Sequence, residues 1–337
     1  MSPLLTIDRL ALRLPVGGVA LTILHEVSLD IAVGEAVGLV GESGSGKSMT
    51  ARAVARLLPP HAQVTGRITF DGQDVLALHS SALRRYRTGG VAVIFQDPRA
   101  HINPVRTVGD FLTETMRSID KVRSSVARSK AVELLASVGI DDGASRLHQY
   151  PHELSGGLLQ RVMIAAVLAG DPKLILADEP TTALDVTTQS DVMALLDQLR
   201  RERAMAMLFI THDLELAAAV CDRTAVMYAG SIVEQQSVAA LHVSPRHPYT
   251  AALLAARPDI QKTVPRLRAV PGRPQSAFEV PPGCPFAPRC QHVQDRCRLS
   301  YPALESTGTG HARCVRSAEI AADLAMEARS ARPEETP

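Results

Sequence analysis

The chain has 337 residues, of which 46% are hydrophobic and 3% aromatic with no Trp, and its formal net charge is +1. That length holds one large domain and a smaller companion around a core that needs no staple. The near-zero charge with dispersed Lys and Arg gives no reason to expect nucleic acid as a partner, and the few aromatics argue against base-stacking platforms and carbohydrate clefts.

Residues 1–14 lack the basic-then-apolar layout of a signal peptide. No apolar run approaches the ~18–20 residues needed to cross a bilayer. The chain is therefore expected in the cytoplasm, with any membrane role exercised through a partner. Up to about residue 240, apolar strand-like runs alternate with helical patterns. The run Ala36–Val40 ends in a Gly-rich turn, and a helix is expected over 48–58. The runs 91–95, 174–177 and 207–210 read as buried strands of a mostly parallel sheet. Between Pro98 and Ala169 the pattern is helical, which predicts a helical lobe (about 97–169) inserted into an α/β core. After His242, Pro265, Pro271, Pro274, Pro281, Pro282, Pro285 and Pro288 interrupt any long element, predicting a small loop-rich extension over 246–317. Residues 318–337 begin as a helix and finish as a polar tail.

Gly41-Glu42-Ser43-Gly44-Ser45-Gly46-Lys47-Ser48 follows a strand and precedes a helix, which is the context a phosphate-binding loop requires. Its glycines let backbone N–H groups turn inward, and the helix start adds partial positive charge. Lys47 is placed to reach the β- and γ-phosphates, Ser48 to bind Mg²⁺, and Met49 closes the stretch. The strand 174–177 runs into Asp178 and Glu179. Two adjacent acids leaving a buried strand are costly unless a cation or water uses them. Asp178 suits Mg²⁺, and Glu179 suits a general base that polarises the attacking water. Alone such a strand end is weak evidence, since many are solvated; beside the Gly-rich loop it is strong.

Leu154-Ser155-Gly156-Gly157, with Gln160-Arg161 downstream, opens a helix over 158–169 and resembles the signature motif of ABC ATPases. Other marks of that family follow in order. Gln96 matches the Q-loop, Ala183-Leu184-Asp185 the D-loop, and His212 in Ile210-Thr211-His212-Asp213 the switch histidine. Five motifs in about 170 residues are a specific match. The resemblance makes residues 1–245 a nucleotide-binding domain with a P-loop NTPase core and an antiparallel β subdomain. It implies that two such domains face each other head to tail. Ser155, Gly156 and Gly157 would then serve the partner's ATP, while Gln96 and His212 would serve catalysis beside Glu179. Mg²⁺ would be shared by Ser48, Gln96 and Asp178.

Two departures stand out. Leu158 follows Gly157 where Gln is usual, and Leu10-Ala11-Leu12-Arg13-Leu14 has no aromatic to stack on adenine, leaving Leu14 as a plain hydrophobe. Both make half of an asymmetric pair a better reading than a self-sufficient homodimer.

The stretches 96–109 and 150–157, His247-Pro248-Tyr249-Thr250 and the Cys-containing tail resemble the peptide/nickel importer group of this family. That implies two membrane permease subunits, a second similar ATPase, an extracytoplasmic substrate-binding protein, and a place at the cytoplasmic face of the membrane. Oligopeptide or dipeptide import is the leading reading. Nickel, metal-chelate or glutathione import by the same plan is the alternative. A soluble ABC protein of translation or DNA repair fits poorly, since the chain has one phosphate loop, no heptad run and no basic stripe.

Cys284-x5-Cys290-x6-Cys297-x16-Cys314 could hold Zn²⁺ or a [4Fe–4S] cluster, or remain free or form disulfides. The short C-x-x-C pairs of structural zinc sites are missing, and the resemblance favours the iron–sulfur cluster, in a structural role. Cys221 reads as an ordinary buried thiol.

Overall fold

The computed structural model describes residues 3–182, 184–256 and 270–329. Ala183, Pro265 and the tail from 330 onward therefore lie outside the described residues. The chain forms two compact units, one built mainly from Asp74–Phe209 with Ile31–Glu35, the other from Leu5–Asp30, Ala36–Gln73 and the chain from Ile210 on.

The first unit carries the strands Val91–Ile94 and Leu174–Asp178, paired in parallel with Val91 opposite Leu174 and Ile94 opposite Ala177. Ala206–Thr211 lies on the other side of Leu174–Asp178 and is buried along its whole length. Burial on both faces is why these strands read as unbroken apolar runs. Between Ile94 and Leu174 the described chain has helices and turns but no strand: Pro98–His101, Val108–Ser118, Ser124–Ser137, Gly143–Arg146 and Gly156–Leu168. Val108, Leu112 and Met116 form the buried stripe of Val108–Ser118, and Thr107 caps that helix by accepting from Asp110 N. The three longer helices pack on one another. Arg161 Nη1 donates to Val138 O at 2.6 Å, tying the helix Gly156–Leu168 to the end of Ser124–Ser137.

The second unit has two sheet portions. Val19–Ile31, Leu5–Val16, Gln63–Phe70 and Gln73–Asp74 make an antiparallel sheet in that order, with a bulge between Asp8 and Ala11. The other portion runs Glu305–Ser306, Gly310–Ala312, Ser231–Ser237, Arg223–Tyr228, Ala36–Val40. Only its last pair is parallel, with Val40 opposite Val226. The Pro-rich region is thus less loop-like than its composition predicts. Gly310–Ala312 adds a strand to Ser231–Ser237, placing Glu234 opposite Ala312, and Pro248–Ala255 is a helix with Pro at its first turn.

Tyr228, Tyr249 and Phe286 meet at the centre of this unit with ring centroids 4.6–5.3 Å apart. One comes from a strand, one from a helix and one from the cysteine loop. Burying three such rings fixes the extension against the sheet, each ring being worth about 3–5 kcal/mol against truncation to Ala.

Candidate functional site

The Gly-rich loop leaves the fully buried strand Ala36–Val40 and enters the helix Lys47–Val54. Gly41 is packed so closely that a Cβ there would stand 2.1 Å from Met227 O. Gly46 sits at φ 106°, a left-handed conformation, and caps the helix without a side chain, so the first helical N–H groups are not taken up by a cap. Lys47 is 5% exposed. Its Nζ donates to Gly41 O at 2.7 Å and Glu42 O at 3.0 Å, drawing the loop into a ring. Ser45 Oγ is buried with no hydrogen-bond partner. Ser43 and Gly44 are exposed, and Ser48 and Met49 half-buried. A Gly-rich turn with Ser43 and Gly44 exposed at the start of a helix, beside an ammonium group, is an arrangement suited to phosphate oxygens.

Neighbouring elements of the same unit brace the loop. Gly230 N donates to Ser45 O at 2.9 Å, and Glu42 N donates to Tyr249 Oη at 3.0 Å. Arg289 grips the Glu42 carboxylate with two hydrogen bonds of 2.7 and 3.0 Å. Nothing in the sequence pattern singles out Arg289, and the stretch that contains Tyr249 carries no hint of a contact with Glu42, which lies more than 200 positions from both.

In the first unit, Asp178 and Glu179 end the strand half-buried. Glu179 holds φ at 47°, an uncommon conformation for a residue with a side chain. Its Oε2 accepts from Gln96 Nε2 at 3.2 Å and from Thr182 Oγ1 at 3.0 Å. Gln96 and the acidic strand end are therefore brought together. Thr182 is a partner the motif reading missed, although it lies only three residues on. Phe95, before Gln96, stacks on His101 at 3.8 Å with the rings nearly parallel. His101 thus has a local packing role.

Ser155 caps the helix Gly156–Leu168, its Oγ accepting from Leu158 N at 3.3 Å. The serine is exposed and Leu158 half-buried. A Cβ on Gly157 would stand 2.7 Å from Thr188 Cγ2. Asp185 in turn caps Val186–Glu202, accepting from Thr188 N at 3.0 Å and Thr188 Oγ1 at 2.8 Å. These hydrogen bonds hold its carboxyl below the usual range. Thr188 is thus the link between Gly157 and Asp185, and both belong to the first unit. His212 stands exposed just past the strand Ala206–Thr211, beside Asp213, which caps the helix Leu214–Val220 through Glu215 N and Leu216 N.

The four clustered cysteines line one small cavity of about 20 Å³ with Phe286 and Ile320. None of the five cysteines is in a disulfide. Burial pushes the Cys290 thiol up to about 12 and the Cys314 thiol up to about 11, with neighbouring cysteines adding to each rise. The donor set suits a thiophilic metal. The expected centre is not preformed. Among the described residues no group of three or more His, Cys, Asp or Glu is gathered so as to hold a metal ion, and the void has room for little more than one water-sized atom.

Two family descriptions match successive parts of the chain. Residues 24–182 match the family described as ABC transporter, and residues 233–297 that described as oligopeptide/dipeptide transporter, C-terminal region. The chain is 43% identical over 314 residues to a putative peptide import ATP-binding protein of Brucella abortus, covering 93% of this chain and 95% of that one. It is 42% identical over 308 residues to the dipeptide transport ATP-binding protein DppD of Escherichia coli K12, covering 91% and 94%. Among solved structures, a dimeric ATP-binding cassette in a post-hydrolysis state bound to ADP and Pi superposes with a TM-score of 0.61 at 28% identity. It covers 69% of this chain and 98% of its own. Among the described residues no helix is long and apolar enough to cross a membrane.

Proposed function

The chain belongs to the ABC transporter ATPases, and we propose that it is the ATP-hydrolysing subunit of an importer for oligopeptides or dipeptides. The observation that carries the peptide reading is the likeness of residues 233–297 to the oligopeptide/dipeptide transporter C-terminal region, together with full-length likeness to peptide import proteins.

In this reading the amides of Gly41–Ser48 and the ammonium of Lys47 hold the β- and γ-phosphates. Ser48, Gln96 and Asp178 would hold Mg²⁺, which neutralises charge developing on the phosphate oxygens. Glu179 takes the proton of the water that attacks the γ-phosphorus, and ADP leaves in line. Its unusual backbone and its two hydrogen bonds aim the carboxylate before chemistry begins. Gln96 reports the nucleotide to the helices that follow it, and His212 steadies the γ-phosphate. Ser155, Gly156 and Gly157, at a helix start, serve the ATP held by a second ATPase subunit, with Asp185 beside them. Leu158 and the aromatic-free stretch ending at Leu14 favour an unequal pair with a similar but distinct partner. Two permease subunits form the pathway, and an extracytoplasmic protein delivers the peptide to it. The motor then sits at the cytoplasmic face of the membrane.

Deleting the gene is expected to abolish uptake of labelled dipeptides and oligopeptides, restored by the wild-type chain and not by Lys47→Ala. Normal peptide uptake with loss of nickel or glutathione uptake would sink the peptide assignment.

Cys284, Cys290, Cys297 and Cys314 would hold a [4Fe–4S] cluster, a structural cross-link for a Pro-rich extension. Loading requires the raised thiols to lose their protons and the loops around the small void to rearrange. Protein purified without oxygen is expected to be brown and to contain about four irons. Cys290→Ala should lose the colour and lower the unfolding temperature. A colourless, zinc-loaded protein would defeat this assignment.

A further inference from the structure

The extension holds the phosphate loop through Tyr249 at the Glu42 backbone and through Arg289 at the Glu42 carboxylate. Arg289 lies in the short turn Ala287–Arg289, immediately before Cys290. Its side chain is 4% exposed, that of Glu42 23%. Every N–H of the guanidinium has a partner. Nε donates to Pro271 O at 2.7 Å, Nη1 to Glu42 Oε2 at 2.7 Å and Tyr228 Oη at 3.3 Å, and Nη2 to Glu42 Oε1 at 3.0 Å and Val270 O at 3.4 Å. The guanidinium also stands 5.7 Å from the Tyr228 ring centroid and 5.9 Å from that of Phe286. Glu42 is therefore gripped three times. Tyr249 takes its N–H, Lys47 its carbonyl, and Arg289 its carboxylate.

A carboxylate inside a loop that receives a triphosphate is an electrostatic liability. Like charges oppose each other most strongly where water is scarce. A bidentate Arg–carboxylate pair removes that opposition and fixes the side chain's direction at once. We propose that Arg289 is a positioning residue for nucleotide binding: it neutralises Glu42 and holds the loop in its receptive shape, so that the C-terminal extension is part of the ATP site's support. This rests on the reading of Gly41–Ser48 as the ATP phosphate loop.

The test uses the purified full-length chain and measures Mg·ATP affinity together with amide exchange over residues 41–48. Arg289→Met is expected to weaken binding at least tenfold, because it leaves Glu42 charged and unpaired. That defect should shrink as salt is raised, since screening acts on charge and not on lost packing. Arg289→Met with Glu42→Gln should bind at least threefold more tightly than Arg289→Met alone, because the second change removes the charge that the first left unpaired. Arg289→Lys keeps the stem and charge but loses the fork. It provides a test in a fold-compatible form, and faster exchange of the loop amides is expected there. Wild-type affinity in folded Arg289→Met, a double variant as weak as the single, or unchanged exchange in Arg289→Lys would each overturn the proposal. Lys47→Ala is the separate control: normal ATP binding in that variant would mean that the loop is not the phosphate site, whatever Arg289 does.

Discussion

Glu179→Gln is expected to leave Mg·ATP affinity within about threefold of the wild type while cutting steady-state hydrolysis by a factor of at least about 100, the scale of a lost general base. The substitution preserves shape. The amide oxygen of Gln can still accept from Thr182 Oγ1, which now meets the carboxylate at 3.0 Å. The left-handed backbone at position 179 belongs to the strand end and not to the carboxylate. What disappears is the capacity to take a proton from water. The measurement is phosphate release by the assembled transporter, beside equilibrium nucleotide binding. Near-normal turnover would mean that hydrolysis is carried by the other composite site, completed by this chain's Ser155–Gly157 and the partner ATPase's phosphate loop. A loss of nucleotide binding equal to the loss of turnover would instead mean that Glu179 supports the fold of the site.

Gly41→Ala should be the most damaging one-carbon addition in the phosphate loop. The new Cβ would stand 2.1 Å from Met227 O and 2.9 Å from Ser45 Oγ. The first of these is backbone in the strand Arg223–Tyr228, hydrogen-bonded into the sheet beside Ala36–Val40 and unable to swing aside. Either the two strands part or the loop is expelled from its seat. Overpacking of this kind costs about 1–3 kcal/mol and more when backbone must move, so the upper end or beyond is expected, with at least tenfold weaker ATP binding. Gly44→Ala is the informative contrast. It has nothing within 4 Å of its Cβ but a φ of 79°, so only conformational strain of roughly 1 kcal/mol applies. Denaturant melts and ATP titrations of both variants decide the matter. Equal stability of Gly41→Ala and Gly44→Ala would show that the close approach to Met227 relaxes at no cost.

The parts of the fold that were legible in the sequence are those whose signal is local. Ala36–Val40 and Leu174–Asp178 are buried on both faces and so appear as plain apolar runs ending in chemistry. The helix after the phosphate loop was placed correctly at its start but runs only to Val54, with Arg56 taking a left-handed turn at φ 59° beyond it. Apolar character carries on past that point, and periodicity alone cannot register the stop. The antiparallel sheet of Leu5–Val16 and Val19–Ile31 entered only through family resemblance, because its half-exposed faces and its bulge break any simple alternation. Gly310–Ala312 was invisible, being three residues long in a Pro-rich region. It is a strand only because Ser231–Ser237 offers an edge. At the site, Gln96 and Glu179 were singled out by order of motifs, and the structure joins the two side chains by a hydrogen bond that the order did not predict. Arg289 had no signal at all. Its meaning arises from packing between Tyr228 and Phe286, which no spacing rule encodes. The cysteines show the opposite failing: their clustering was plain, while the size of the void they surround was not.

The pairing of Gly310–Ala312 with Ser231–Ser237 sets a clock on the protein's birth. Until the ribosome has delivered the later segment, the earlier one presents an unpaired edge carrying Ile232 and Val233, both buried in the finished fold. At synthesis rates of ~5–20 residues per second that vulnerable interval lasts roughly 4–15 s. An open edge of this kind is a template for pairing with another chain. Nascent polypeptides stalled between the two segments should therefore be the species most dependent on chaperones, and truncations ending there the most prone to form inclusion bodies.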